Sequence, residues 1–182
     1  MVDDEAREDD HEAQVTDEVA AAIVDKFTGS VAVESCGQSV VYVDRNALAD
    51  VARALRDDHE FTMCVDVTAV DHLLDGSRVR PPGVALERFE VVANFLSHSR
   101  NRRIRLIAEV PADDTTVPSL TGVYLGANFP ERETFDLFGI VFDGHPDLTR
   151  ILMPDDWHGH PLRKDDAPGR VPVTFKGDPA PR

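Results

Sequence analysis

Helical periodicity appears twice in the N-terminal half of the chain. In the first segment, DEVAAAIVDKFTG, four apolar side chains share one helical face: Val19, Ala22, Ile23 and Phe27. Thr16 is placed to cap this helix, and Gly29 is placed to end it. The second segment, DRNALADVARALRDD, repeats the spacing, and Asp44 or Asn46 is placed to cap its first N–H groups. We therefore predict two helices.

Strand periodicity occupies the segments between and after these helices. SVAVESCGQSVVYVD contains two β-rich runs around a polar turn at 35–38, which is typical of a hairpin. FTMCVDVTAVD alternates strictly, which predicts a strand with these side chains facing the core: Phe61, Met63, Val65, Val67 and Ala69. After Pro-Pro-Gly at 81–83, RFEVVANFLS and RIRLIAEV predict another hairpin with its turn at 99–102. The order α-ββ-α-βββ predicts an α+β domain with two helices packed on a mixed, mostly antiparallel sheet.

Regular periodicity ends near residue 140. PADDTTVPSLTGVYLGAN allows a short helix after Pro118, and PERETFDLFG predicts a helix with Pro130 in its first position and Gly139 at its end. Beyond Gly139, frequent prolines oppose both helix continuation and strand pairing. We therefore divide the chain into an acidic, disordered arm at 1–16, an α+β domain at 17–140 and an extended, proline-rich docking tail at 141–182.

Composition narrows the classes of function. A net charge of −15 disfavours nucleic-acid phosphates and anionic lipid head groups as partners. The arginine-rich turn at 100–105 is therefore interpreted as a salt-bridged surface, and Cys36 and Cys64 fit neither a disulfide framework nor a thiolate cluster. No apolar run reaches the roughly 18 residues of a membrane span. The N-terminus lacks the basic and apolar regions of a secretory signal, which predicts a cytoplasmic chain.

Motifs for enzymatic chemistry are scarce. The sequence contains no GxSxG nucleophile elbow and no glycine-rich loop for dinucleotides or nucleotide phosphates. Metal-ligand chemistry is available at His145, Asp147, His158 and His160. Because glycine and proline hold GHPD and WHGHP in turns, their spacing does not match a helical metal site. A stand-alone metal-binding enzyme that uses His145, His158 and His160 remains a remote alternative.

The segment ERETFDLFGI carries paired acids and aromatic residues on one predicted helix. Arg132 and Asp136 are i, i+4 neighbours, so we predict that they pair on the surface, as a salt-bridged helix end. The acids Glu131 and Glu133 are expected on the same exposed helix near its N-terminus. Without a cleft nearby, these carboxylates do not form a convincing acid–base pair.

Large apolar side chains continue into the tail, on backbone that should form no element of its own. They are Phe142, Leu148, Ile151, Leu152, Met153, Trp157 and Leu162. Such side chains need a protein surface to cover them, and tryptophan and arginine are the types that dominate interfaces. We therefore predict that the tail cannot bury itself and docks on another polypeptide.

The run from residue 131 to 165 resembles the signature of the C-type, 30 kDa-type subunit of bacterial NADH–quinone oxidoreductase, respiratory complex I. The signature residues, expected at the partner interface, are Glu131, Arg132, Glu133, Asp136, Phe138, Gly139, His145, Pro146, Asp147, Arg150, Trp157, His160, Pro161, Arg163, Lys164 and Asp165. The upstream segment DVTAVD at 66–71 and the order of elements are also similar to the family. Asp166 departs from it, since an aromatic residue commonly follows the preceding Asp, and this should weaken one tail contact.

The resemblance implies a cofactor-free structural component of the peripheral arm of the complex, packed against the D-type, quinone-site subunit and near the B-type and I-type subunits. It implies that FMN and the iron–sulfur clusters belong to partner subunits and that no residue of this chain is catalytic. The chain would lie on the cytoplasmic side of the membrane and contact it only through the complex. An equivalent subunit of a membrane-bound hydrogenase or an F420-type dehydrogenase complex remains the nearer alternative.

Overall fold

The structure is a computed structural model that describes residues 17–79 and 81–166. Its helices are α1 (Glu18–Lys26), α2 (Leu48–His59) and α3 (Asn128–Phe138). Its strands are β1 (Val31–Ser35), β2 (Gln38–Val43), β3 (Met63–Asp71), β4 (Phe89–Ser97), β5 (Arg102–Val110), β6 (Thr116–Pro118) and β7 (Val141–Asp143). The predicted arm at 1–16 and the end of the tail beyond 166 lie outside the described residues.

Five strands form one mixed sheet in the order β1-β2-β5-β4-β3. The pair β2–β5 is parallel, whereas β1–β2, β3–β4 and β4–β5 are antiparallel. The predicted α+β class and the mixed, mostly antiparallel sheet are therefore confirmed. The first predicted turn is also confirmed, because Cys36 and Gly37 both adopt the positive φ that a two-residue hairpin turn requires.

The two N-terminal helices bury their apolar stripes in one core with the sheet. Asp17 caps α1 by accepting hydrogen bonds from the N–H groups of Val19 and Ala20, while the predicted cap, Thr16, lies outside the described residues. Asp44 caps the short 3₁₀ turn Arg45–Ala47 that leads into α2, whereas α2 itself begins after Ala47 without a side-chain cap. The predicted cap at Asp44 is therefore confirmed for the turn but not for the helix. Side-chain oxygens thus satisfy free N–H groups at the start of α1 and at the start of the 3₁₀ turn before α2.

Strand β3 differs from the predicted alternation in its first half. Phe61, Val67 and Ala69 are buried as predicted, but Met63 and Val65 are 45% and 40% exposed. A β-bulge at Val65, between Cys64 and Asp66, explains the difference. One extra residue reverses the side-chain alternation, so the inward assignment of Met63 and Val65 is wrong.

The loop between β3 and β4 is anchored to the sheet face opposite the helices. Arg78 in this loop donates hydrogen bonds to the carboxylates of Glu90 and Glu109, which lie directly opposite each other on β4 and β5. Two carboxylates in this arrangement repel each other, so a guanidinium between them compensates the pair. Burial nevertheless raises the pKa of Glu109 above its ordinary value.

The arginine-rich turn between β4 and β5 is a salt-bridged surface, as interpreted from the sequence. Arg100 contacts Glu60 at 3.1 Å, and Arg102 contacts Glu18 at 3.2 Å. These cations therefore bind acids of the same chain and hold the turn against α1 and the end of α2.

The C-terminal third contains more regular structure than predicted. The short helix expected after Pro118 is a turn followed by a 3₁₀ turn at Leu125–Ala127, and α3 starts two residues before Pro130. Gly139 ends α3 with a φ of +74°, as predicted. β6 and β7 pair in parallel, so residues 141–143 belong to the folded domain and the expectation of no element there is wrong. None of the described helices has the length and apolar content that crossing a membrane requires.

Candidate docking surface

Asp136, on α3, holds the start of the tail. Its side chain is fully buried, and one carboxylate oxygen accepts hydrogen bonds from the three backbone N–H groups of residues 151–153 at 2.8–3.0 Å. The other oxygen accepts from Arg150 Nη1 at 2.6 Å. Burial acts to raise the pKa of Asp136, but these donors outweigh it and hold the pKa below its ordinary value. Asp136 is therefore an ionised, buried carboxylate that holds the start of the tail by hydrogen bonds.

The predicted surface pair between Arg132 and Asp136 is wrong. Arg132 instead donates to Thr149, with Nε 3.1 Å from the carbonyl oxygen and Nη2 2.9 Å from the hydroxyl. Asp136 takes Arg150 as its partner, 14 residues along the chain. Helical i, i+4 spacing made the pair possible, but the tail places better donors next to the buried carboxylate.

Glu131 is also buried rather than exposed, in contrast to the prediction, whereas Glu133 is exposed. The Glu131 carboxylate accepts hydrogen bonds from Leu120 N–H at 2.6 Å and from Ser119 Oγ at 2.7 Å. Within the part of the chain that the structure describes, no cation pairs with it. Burial therefore raises the pKa of Glu131 to about 7, although both hydrogen bonds act to lower it.

A second buried carboxylate, Asp71 on β3, holds the other end of the tail. It accepts hydrogen bonds from Lys164 N–H at 2.8 Å and from Arg88 Nη2 at 2.8 Å. Arg88 also binds Asp165 at 2.6 Å, and this contact lowers the pKa of Asp165 to about 2. Sequence reasoning did not assign roles to Asp71 and Arg88. The available signal was the position of Asp71, which continues the inward face of Val67 and Ala69.

Between these anchors the tail lies on the C-terminal end of α3. His160 Nδ1 is 2.9 Å from the carbonyl oxygen of Asp136, and Leu162 N–H donates to the carbonyl of Leu137 at 3.0 Å. The His160 ring covers Gly139 so closely that a Cβ at 139 would lie 2.7 Å from ring atoms. Glycine at 139 therefore permits both the end of the helix and the approach of the tail.

The histidines proposed as metal ligands are not brought together. His145 Nε2 is 3.2 Å from the carbonyl oxygen of Asn128 at the start of α3, whereas His160 lies at its end. His145 Nδ1 accepts a hydrogen bond from Asp147 N–H, and His158 is exposed. Among residues 17–79 and 81–166, no three His, Cys, Asp or Glu side chains are grouped to hold a metal ion.

The remaining signature residues divide between buried and exposed positions. Phe138 is buried, while Pro146, Asp147 and Pro161 are exposed. Arg163 lies over the Phe89 ring, 5.1 Å from its centroid. Asp166, expected to weaken a contact, accepts a hydrogen bond from the N–H of His160 and so supports this turn of the tail.

The apolar side chains of the tail are buried at its start and exposed farther along, although the backbone is anchored. Phe142 is buried and Leu148 packs against the core, so the prediction that the tail cannot bury itself is wrong at its start. Farther along, Ile151, Leu152 and Leu162 are 38%, 59% and 49% exposed. Trp157 is half-buried, and its indole N–H is enclosed without an acceptor among the described residues.

Comparison with known sequences places these features in a family context. Residues 41–171 match the family model of the respiratory-chain NADH dehydrogenase 30 Kd subunit. The C-type subunit of the NADH-quinone oxidoreductase of Saccharopolyspora erythraea is 49% identical over 143 residues, which cover 78% of this chain and 54% of that protein. The corresponding C-type subunit from Roseiflexus sp. is 47% identical over 165 residues, which cover 90% of this chain and 88% of that protein. The chain thus spans about half the length of the first relative and most of the second.

Two solved structures share the fold. A trypsin-resistant fragment of Nqo5, residues 1–134, has a TM-score of 0.59 and 31% identity, and the match covers 71% of this chain and 96% of the fragment. A chain of the archaeal membrane-bound sulfane sulfur reductase has a TM-score of 0.65 and 21% identity, and the match covers 81% of this chain and 83% of that one. The second likeness concerns the fold alone.

Proposed function

The chain belongs to the family of the 30 kDa subunit of respiratory-chain NADH dehydrogenase, and from this premise we propose that it is a cofactor-free structural component of proton-translocating NADH:quinone oxidoreductase. It packs against the D-type, quinone-site subunit in the peripheral arm, near the B-type and I-type subunits, on the cytoplasmic side of the membrane. FMN and the iron–sulfur clusters reside in partner subunits. Its contribution is to hold its neighbours at fixed distances.

The observation that carries this proposal is the exposure of apolar side chains on a tail whose backbone is anchored. Asp136 and Asp71 bind main-chain N–H groups near both ends of residues 151–164. Ile151, Leu152 and Leu162 nevertheless point their apolar surface outward. Anchoring before binding lowers the entropy lost on association, which suits a docking element.

NADH is favoured as the electron donor of the complex over the donors of related complexes. The same fold occurs in a sulfane sulfur reductase complex, so the fold alone does not select a donor. The relatives at 44–49% identity from Saccharopolyspora, Salinispora and Roseiflexus are all named as the C-type subunit of NADH-quinone oxidoreductase. A stand-alone metal enzyme has no support from the geometry, because His145 and His160 bind opposite ends of α3.

The test is complementation of a host that lacks this chain. Wild-type chain should restore NADH:quinone reductase activity in membranes and should co-purify with the quinone-site subunit. The double variant I151D/L152D should restore neither, while Leu74→Asp, at a site that is 94% exposed in the loop before β4, should restore both. A variant that assembles normally but abolishes quinone reduction would contradict a purely structural role.

A further inference from the structure

A cluster of charged side chains fastens the loop between β3 and β4 to the sheet face opposite the helices. Arg78 of the loop donates to the carboxylates of Glu90 and Glu109, whose side chains are only 10% and 12% exposed. His72, at the start of the loop, lies with Nε2 3.1 Å from the second carboxylate oxygen of Glu90. Its other ring nitrogen, Nδ1, is 3.4 Å from Asp75 Oδ2. We call these five residues the loop latch.

The His72 ring suits both of its acidic neighbours only when it carries two protons. A neutral imidazole has one N–H group and one nitrogen lone pair, so one of its nitrogens would present a lone pair to a carboxylate oxygen. Nε2 is enclosed and has no aligned hydrogen-bond partner among the described residues, so its contact with Glu90 depends on charge. Protonation therefore replaces a repulsion with an attraction at this nitrogen.

Negative charge exceeds positive charge in the loop latch when His72 is neutral. The charged partners of the ring and of Glu90 are one guanidinium and three carboxylates: Arg78, Asp75, Glu90 and Glu109. The adjacent Asp71 does not change this balance, because Arg88 binds it at 2.8 Å. A proton on His72 supplies a second cation, and the enclosed position of the acids strengthens its effect.

No other group on this face replaces that second cation in the part of the chain that the structure describes. Arg105 lies on the same face of β5 as Glu109 but four residues earlier, about 13 Å along the strand, where salt screens it. Its Nε donates to the amide oxygen of Asn94. Tyr42 remains neutral, because burial raises the pKa of its hydroxyl.

The latch determines how the loop lies on the sheet. The loop reaches β1 at the opposite edge of the sheet, where a Cβ at Gly83 would be 3.4 Å from the Val31 side chain. Val84, next to Gly83, is buried. On the return toward β4, the Glu87 N–H donates to the Glu109 carboxylate at 2.8 Å. Weakening the latch therefore loosens a segment that crosses several strands.

We propose that the loop latch is a proton-operated switch, in which protonation of His72 fastens the loop to the sheet and deprotonation loosens it within about pH 5–8, where histidine ordinarily changes charge. Because the fastened loop favours the bound proton, its attachment should strengthen as pH falls. The carboxylates set the acid limit of this range. Burial raises the pKa of Glu109, and protonation of Glu109 would weaken its contact with Arg78. The switch is independent of the proposed function.

Hydrogen exchange of the full-length chain tests the switch. The reporting amides are those of Ser77, which donates to Asp75, and of Glu87, which donates to Glu109. After correction for the intrinsic effect of pH on exchange, protection of both amides should fall severalfold from pH 5.5 to pH 8. The amides of β4 and β5 should stay protected throughout.

Variants assign the pH dependence to one side chain. His72→Gln retains a polar side chain that carries no charge, so protection of the loop should be low and independent of pH. Asp75→Asn should reduce the pH dependence while leaving the contacts of Arg78 intact. The matched control is His98→Gln, at an exposed histidine in the turn between β4 and β5, which should keep the wild-type pH dependence.

Two results would overturn the switch. The first is loop protection that does not vary with pH in the wild-type chain, or whose variation survives in His72→Gln. The second needs no variant and therefore does not depend on how well a variant folds. Nitrogen-15 NMR of the wild-type chain at pH 5.5 should find both ring nitrogens of His72 protonated, and a bare ring nitrogen would exclude the proposed fastened state.

Discussion

The sheet domain buries its apolar side chains, whereas the tail buries backbone N–H groups and leaves apolar side chains exposed. In the sheet domain, side chains such as Phe95 and Leu106 are fully buried and the hydrogen bonds of the strands run between backbones. In the tail, backbone N–H groups turn inward to the buried carboxylates of Asp136 and Asp71, while Leu152 turns outward. Hydrophobic burial therefore stabilises the first region, and charged hydrogen bonds position the second.

Replacing Asp136 should have the largest effect, and it should destabilise the tail while leaving the sheet domain folded. In Asp136→Ala, three N–H groups and Arg150 lose their acceptor, and removing one partner of a buried charge pair costs about 3–5 kcal/mol. Hydrogen exchange should show loss of protection at residues 151–153 while β4 and β5 stay protected. Retained protection at 151–153 would mean that packing, not the carboxylate, holds the tail.

Glu131 offers a pH-dependent test, because it is a buried acid without a cation among the described residues. Its pKa is about 7 in the folded state against an ordinary 4.5, so the folded state binds more protons between these values. The contribution of Glu131 to the free energy of unfolding should be largest below pH 4.5 and should fall as pH rises through about 7. Glu131→Gln should therefore raise the free energy of unfolding at pH 8 by about 2–3 kcal/mol.

The matched control is Glu133→Gln, at an exposed position on the same helix, which should change the free energy of unfolding by less than about 0.5 kcal/mol. Urea titrations at pH 5 and pH 8 measure both variants. An equal pH slope in wild type and Glu131→Gln would show that the carboxyl group is solvated in the folded protein.

Gly139→Ala should loosen the tail through backbone strain and a steric clash, without changing any charge. The positive φ of +74° strains alanine, and the new Cβ would lie 2.7 Å from the His160 ring. The expected loss is about 2 kcal/mol. Gly144→Ala is the matched control, with a φ of +81° but nothing within 4 Å. Proteolysis within the tail should accelerate more for Gly139→Ala, and equal rates would exclude a role for the His160 contact.

The smallest effect is expected for Leu152→Ala in the isolated chain. Because its side chain is 59% exposed, truncation should change the free energy of unfolding by less than about 0.5 kcal/mol. Leu106→Ala, at a fully buried position, should cost about 2–5 kcal/mol in the same urea titration. A large effect at Leu152 would show that the tail packs against its own domain.

Elements with long, regular periodicity were predictable from local pattern. The hairpin of β4 and β5 alternates through Phe89, Val91, Ala93 and Phe95, all of which are buried. β6 and β7 have three residues each, too few for alternation to be recognised. The bulge at Val65 was missed because one inserted residue leaves no local signature in an apolar strand.

The roles of the buried acids were not predictable in the same way. Charged residues are rarely fully buried unless they are paired, so Glu131 and Asp136 were interpreted as surface residues. Their donors come from distant positions: Asp136 binds residues 150–153, and Asp71 binds Lys164, 93 residues away along the chain. Only the folded arrangement brings such groups within hydrogen-bond distance.

The sequence by itself determined the α+β class, the main helices and hairpins, and the family, because these depend on periodicity and on contiguous residues such as those from 131 to 165. The tertiary structure decided which acids are buried, where the tail lies and which apolar side chains stay exposed. The physical reason is the distance along the sequence between the groups that interact. Periodicity records the burial of neighbouring residues, whereas a carboxylate that binds backbone N–H groups far along the chain is specified only when the fold brings both together.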